Sequence, residues 1–312
     1  MRLGVSTLGS DPAKWREVAR EAEAIGFDVL HLADHLVDGL PPPLTSLAIA
    51  AEATEVLHVG TLVLAVDFRH PAILAREAAM LADLSGGRFE LGLGAGHMKP
   101  EWDAIGLPFD PAPVRAARLD EALTILRRLL AGDAVTHDGD HYTLLDHRCW
   151  PVPSRPVPIL VGGNGDRVLR VAAAQADLVG FTGFAPTADG RGVNLTHFTA
   201  AGLEDRLAHV RSAAKARAGG LRFQVLVQAV IVTDDRRAAA QPIADRFGAP
   251  VEDILDSPFV LIGTHQQLAE QLTERSERFG IETWTVFADR PGLTDQRLDT
   301  LAPVIELLAT GS

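Results

Sequence analysis

Few side chains in this sequence stand where chemistry could be done, and most are histidines, aspartates and glycines. Asp34-His35 closes an apolar run that begins at Phe27. An imidazole beside a carboxylate suits acid–base work, because imidazole titrates near neutral pH. It equally suits a histidine hydrogen-bonded inside a core. His31 and His35 are four apart, but on an extended run this is not a helical metal pair, and the His-Glu-x-x-His pattern is absent. Leu91-Gly92-Leu93-Gly94-Ala95-Gly96 lacks the final spacing of a dinucleotide fingerprint. Its glycines allow a close approach at a strand end, or simply a tight turn. Val161-Gly162-Gly163-Asn164-Gly165-Asp166 follows a strand and opens a helix. Bare amides at a helix N-terminus make an anion site whose usual guest is phosphate, and a plain turn is the alternative. His137, Asp138, Asp140 and His141 surround Gly139 in the manner of a solvated hairpin tip rather than a metal site. Ser85 lacks the first glycine of a nucleophile elbow, since Asp83 stands there. Cys149 is the sole cysteine, so no internal disulfide forms, and no neighbour activates it.

Strands must carry these residues. Leu3–Val5, Phe27–Leu32, Leu57–Leu64, Phe89–Leu93, Pro158–Val161, Asp177–Phe181, Phe223–Val232 and Ile281–Phe287 read as eight strands. Helices alternate with them. One is opened by Asp11-Pro12 and stopped by Gly26; others cover Pro71–Leu84, Pro113–Leu130 and Asp166–Gln175. Thr264-His265-Gln266-Gln267 spells a capping box for a helix ending at Gly280. Repeated βα units demand a parallel sheet, and eight in a chain of this length predict an α/β fold, a closed (β/α)8 TIM barrel. A doubly wound open sheet is the alternative. No linker divides the chain, so residues 1–312 are expected to form one domain. Insertions around 134–158 and 183–199 are expected over one barrel face, where substrate loops belong.

The chain has 312 residues, 47% hydrophobic and 22% charged, which excludes disorder and a disulfide-stapled miniprotein. Its net charge of -12 disfavours a phosphate backbone as partner, so no nucleic acid is expected. No secretory signal and no long apolar run is present, so the expected setting is the cytoplasm, with no membrane contact.

Several segments, in order, resemble the bacterial luciferase-like superfamily of flavin and deazaflavin oxidoreductases. Ala24-Ile25-Gly26-Phe27-Asp28 leading to Ala33-Asp34-His35 is similar to its second strand. Val59-Gly60-Thr61-Leu62-Val63-Leu64 with Phe68-Arg69-His70-Pro71 is similar to its third. Leu81 to Gly96 is the most specific stretch, and Pro158-Ile159-Leu160-Val161-Gly162-Gly163 and Ala176-Asp177 follow in the right order. Ser257-Pro258-Phe259-Val260-Leu261-Ile262-Gly263-Thr264 resembles the actinobacterial subgroup that uses the deazaflavin coenzyme F420.

The resemblance implies roles. Asp34 would contact the cofactor edge and His35 would be the acid/base beside the ring. Leu62-Val63 falls where the family often has a non-prolyl cis peptide behind the ring. Ala95, Gly96, His97 and Met98 match the loop along the cofactor. Gly162, Gly163 and Asn164 match the phosphate loop, and Thr182 matches a polar position after the sixth strand. His97 departs from the sugar-phosphate dehydrogenases, which carry a glutamate there, and this argues against a sugar-phosphate substrate. The implied function is hydride transfer between coenzyme F420 and a small molecule with a C=C, C=N or carbonyl/alcohol group. FMN is the alternative cofactor, and monooxygenation would then lead. A non-catalytic ligand-binding barrel is the rival of another class, and an NAD-type open-sheet dehydrogenase a further one. The family also implies a homodimer.

Overall fold

The computed structural model describes residues 1–6, 12–36, 40–187, 189–288 and 297–310. Eight parallel strands close into a barrel. They are β1 (Arg2–Ser6), β2 (Val29–Leu32), β3 (His58–Thr61), β4 (Phe89–Gly94), β5 (Ile159–Gly162), β6 (Leu178–Phe181), β7 (Arg222–Val227) and β8 (Thr283–Phe287). Each pairs with its neighbour in sequence, and β8 returns to β1 with Val286 opposite Val5. Parallel neighbours need a crossover, and helices supply it on the outside. All eight expected strands are present, so the closed barrel holds and the open sheet does not.

Two strands differ from expectation. Leu57–Leu64 is not continuous: β3 stops at Thr61, the Leu62-Val63 peptide is cis, and Leu64–Ala65 resumes pairing opposite Leu93 and Gly94. Phe223–Val232 splits at Gln228. Beyond β7, Ala229–Val232 pairs with Val260–Gly263 in a separate two-stranded parallel sheet. The Leu62-Val63 break lies among apolar residues and carries no mark in residue type, whereas the second break falls at the polar Gln228.

Helix ends follow their local chemistry. The first helix, Trp15–Ile25, stops at Gly26 with φ 99°, a conformation only glycine adopts freely. Its expected cap, Asp11, lies outside the described residues; a 3-10 turn at Pro12–Lys14 precedes it. Thr264 and Gln267 form the full capping box of helix His265–Phe279. Ser85 donates its hydroxyl to the Ala82 carbonyl at the end of helix Pro71–Leu84 and is buried, as befits a terminating residue. Cys149 is buried too, and burial raises its thiol pKa.

Inside the barrel, glycines make room for polar side chains. A Cβ on Gly4 would sit 2.9 Å from Thr285 Oγ1, and one on Gly60 would sit 2.9 Å from His31 Cδ2. His31 occupies that space, 1% exposed and 3.1 Å from Thr285 Oγ1. Burial pushes its imidazole down to about 4 against the opposing pull of Glu90. His31 is therefore a core histidine.

The two insertions part company. Residues 184–186 and 193–195 form a hairpin whose turn docks on the loop after β4, with the Lys99 amide donating to the Gly190 carbonyl at 3.0 Å. The 134–158 segment does not cover that face. It leaves helix Ala112–Leu130 at its far end, and its hairpin, Val135–Asp138 with Thr143–His147, runs outside the barrel. Ser154 and Arg155 anchor it to Asp83 and Gly86 below, and Tyr142 meets the His70 ring at the start of helix Pro71–Leu84. His137 is half-buried rather than solvated, 2.9 Å from Glu121, while Asp138 and Asp140 are exposed. No metal-binding group occurs among the described residues. No helix among them is long and apolar enough to cross a membrane.

Candidate active site

Parallel pairing brings the C-terminal ends of β2 to β6 to one rim, the face where barrels carry their reactive residues. A chain of contacts joins the expected residues there. Asp34 accepts from the Ala65 amide at 3.3 Å. The His35 and His97 rings meet edge to face with centroids 5.3 Å apart. Val63 packs over Gly94 and Gly162, where added Cβ atoms would lie 2.7 and 3.0 Å from its methyls. Asn164 donates to Thr182 Oγ1 at 3.3 Å. Leu62 lies against Leu160 and Leu178 beneath this surface.

The side chains differ in how free they are. Asp34 is buried, and both its oxygens accept from the Arg69 guanidinium, at 2.5 and 3.1 Å. Its carboxylate is therefore a fixed partner of a cation. His35 is half-buried, and its Nδ1 lies 2.8 Å from Oε1 of Glu101, itself 4% exposed. His97 has a different environment. Burial, with the nearby His35 and Arg115 charges, pushes it down to about 4, outweighing Glu101. It is an uncharged ring at neutral pH.

The loop after β4 is held rigidly. Gly96 has φ 72°, and a Cβ there would fall 2.3 Å from the Trp102 ring, so this glycine is fixed by packing. Arg115 lies 3.9 Å over the Phe109 ring and donates to the Ala95 and Gly96 carbonyls at 3.1 and 3.4 Å. Trp102 donates to Asp67 at 2.9 Å, and Arg118 joins Asp67 to Asp110. Met98 accepts from the Glu101 amide through its carbonyl and so opens helix Lys99–Ile105. The bare backbone of Gly92, Gly94 and Gly96 thus serves close approach within the chain, to the Thr61 carbonyl, Val63 and Trp102 respectively.

The loop after β5 is different. Gly163 is closed off by Val168, but Gly165 faces open space. Gly165 caps helix Asp166–Gln175, whose first-turn amides have no partner within the helix. Arg206 stands beside that end, 3.4 Å from the Asn164 carbonyl and 2.5 Å from Asp166. Asn164 is buried and ties the loop to the Phe184 carbonyl at 2.7 Å. A glycine opening and first-turn amides suit a phosphate tail, while the Arg206 guanidinium beside them is already paired with Asp166 and Asp205.

Glu101, Arg69, Arg115 and Arg206 were not legible as site residues. Arg69 lies 35 positions from Asp34, and Glu101 lies 66 positions from His35. Only the barrel's closure joins them, and no local spacing signals it.

The model of the luciferase-like monooxygenase family matches residues 2–252. An F420-dependent glucose-6-phosphate dehydrogenase of Microbacterium testaceum is 38% identical over 163 residues, 50% of this chain and 48% of that protein. The chain thus spans about half the length of such curated relatives. An uncharacterized protein of Mycobacterium tuberculosis is 31% identical over 199 residues, 57% of this chain and 68% of that protein. Among solved structures, the coenzyme F420 dependent tetrahydromethanopterin reductase from Methanopyrus kandleri superposes with TM-score 0.78 at 18% identity, covering 99% of each chain. An F420-dependent secondary alcohol dehydrogenase superposes with TM-score 0.77 at 20% identity, covering 98% of each. At such identities these two likenesses concern the fold alone. Matched over most of its length and built on the same barrel, this chain belongs to the luciferase-like monooxygenase family.

Proposed function

We propose that this protein is a coenzyme F420-dependent oxidoreductase that transfers hydride between the deazaflavin and a small organic substrate. The substrate presents a C=C, C=N or carbonyl/alcohol group. The observation that carries the reading is the meeting of Asp34, His35, the Leu62-Val63 step and the loops after β4 and β5 at one rim. The names of F420-dependent relatives in sequence support it.

When bound, the deazaflavin supplies or accepts the hydride at its ring position five. The protein does the rest. Val63 would back the ring, and Ala95 to Met98 would flank it. Gly162, Gly163 and Asn164 shape the loop that leads to the open Gly165 and the first-turn amides, which would hold the tail phosphate. Thr182 steadies Asn164. Asp34, locked to Arg69, fixes the end of β2 that carries His35. His35 moves the one proton that accompanies hydride transfer, through Nε2, the nitrogen not used by Glu101. Productive transfer needs the reacting atoms about 3–3.5 Å apart, and the rigid β4 loop serves that positioning. We also infer a homodimer, supported by an exposed apolar groove that includes Ile73, Met80, Leu84 and Trp150.

An anaerobic assay tests the activity. Reduced F420 is mixed with the protein and a panel of ketones, enones and imines, and reoxidation is followed by absorbance. Reoxidation with at least one class is expected. No reaction with any of them, together with oxygen-dependent product formation from reduced FMN, would overturn the reading.

A further inference from the structure

We propose that Glu101 is the positioning residue of this site: it fixes the His35 ring with its proton on Nδ1 and so turns Nε2 toward the reacting centre. The role rests on the proposed function for its purpose but not for its geometry. Glu101 is 4% exposed and its Oε1 lies 2.8 Å from His35 Nδ1. A carboxylate can only accept, so the nitrogen facing it must donate. The tautomer of a histidine is set by the bond its other nitrogen makes.

The surroundings leave Glu101 alone in this task. Glu101 stands in helix Lys99–Ile105, held to the loop by its own amide on the Met98 carbonyl. Asp34, the carboxylate adjacent in sequence, is fully engaged by Arg69. His97 presents its ring edge to face at 5.3 Å, a contact between rings rather than a hydrogen bond. Arg115, behind His97, faces the Ala95 and Gly96 carbonyls. The two imidazoles therefore differ: His35 has a buried carboxylate partner, and His97 is kept neutral by burial. One proton-handling ring and one uncharged wall result.

The test uses the full chain with histidine side chains labelled with nitrogen-15, at pH 8.5 and without ligand. Long-range proton–nitrogen spectra report which His35 nitrogen carries hydrogen. The proton is expected on Nδ1. A bare Nδ1 with the proton on Nε2 would overturn the proposal, and this measurement needs no variant. Glu101→Leu keeps the volume and removes the acceptor. It is expected to abolish the Nδ1–H signature while the His31 and His265 signals stay in place. Turnover should fall at least tenfold, with the dissociation constant for F420 changed less than threefold. A variant that folds and keeps wild-type turnover would also overturn it. Failure of the protein to bind F420 at all would instead remove the proposed function and leave the tautomer result to decide this inference.

Discussion

His35 is the side chain at the rim whose loss should be felt in the chemical step rather than in binding. On the proposed reading it does not anchor the cofactor tail, which would lie toward the open Gly165. His35→Ala is therefore expected to lower turnover roughly 10²–10⁴-fold, with F420 affinity nearly unchanged, as read by steady-state kinetics and fluorescence titration. Gly96 is a second test at this scale. Gly96→Ala must adopt φ 72° with its Cβ against Trp102, so a loss of roughly 1–3 kcal/mol is expected in urea denaturation. An unchanged midpoint would mean that the loop relaxes freely. Asp34 and His35 were legible because they are adjacent and end a strand. Glu101 was not, because its partner is far away in sequence. His31, set aside as a metal partner of His35, turns inward on β2 among Gly4, Gly60 and Thr285.

At the scale of elements, the stretch Leu81 to Gly96 holds an anchor that glycine counting overlooks. Arg88 donates to the carbonyls of Ser85, Leu57, Ala51 and Thr54 and to the Thr54 hydroxyl, tying the start of β4 to the end of helix Pro43–Ala53. Arg88→Met leaves those acceptors without their donor and is expected to cost roughly 2–4 kcal/mol, measured by chemical denaturation, with little change in cofactor affinity for the protein that folds. The strands themselves were legible because buried parallel strands read as short apolar runs between turn signals. Their interruptions were not. Leu62-Val63 breaks a run that stays apolar, and Gln228 is polar but so is Gln224 inside β7, so polarity alone did not single out the break. The 134–158 hairpin was legible as a hairpin through Asp138-Gly139-Asp140. Its place outside the barrel depends on Glu121, which accepts from the His141 and Tyr142 amides, a contact no spacing announces.

For the whole molecule, the buried histidine sets a pH dependence. An unfolded histidine takes its proton near pH 6.5, whereas His31 in the folded protein takes it only near 4. Between these values the unfolded chain binds more protons, so stability rises with pH across the window and falls on acidification, by up to about 1.4 kcal/mol per pH unit for His31 and as much again for His97, which is also held to about 4. Glu90, held down to about 2, gives way in a lower window, between about 4.5 and 2. Urea midpoints at pH 7 and pH 5 check this, and equal midpoints would contradict it. The apolar groove gives a prediction about assembly. The wild type should sediment at about twice the 33.3 kDa chain mass, and Met80→Glu should shift it toward the single chain. The choice of cofactor decides the chemistry. The most direct measurement is a pair of fluorescence titrations of the cofactor-stripped protein, one with coenzyme F420 and one with FMN. F420 is expected to bind at least tenfold more tightly. Tighter binding of FMN, or binding of neither, would contradict it.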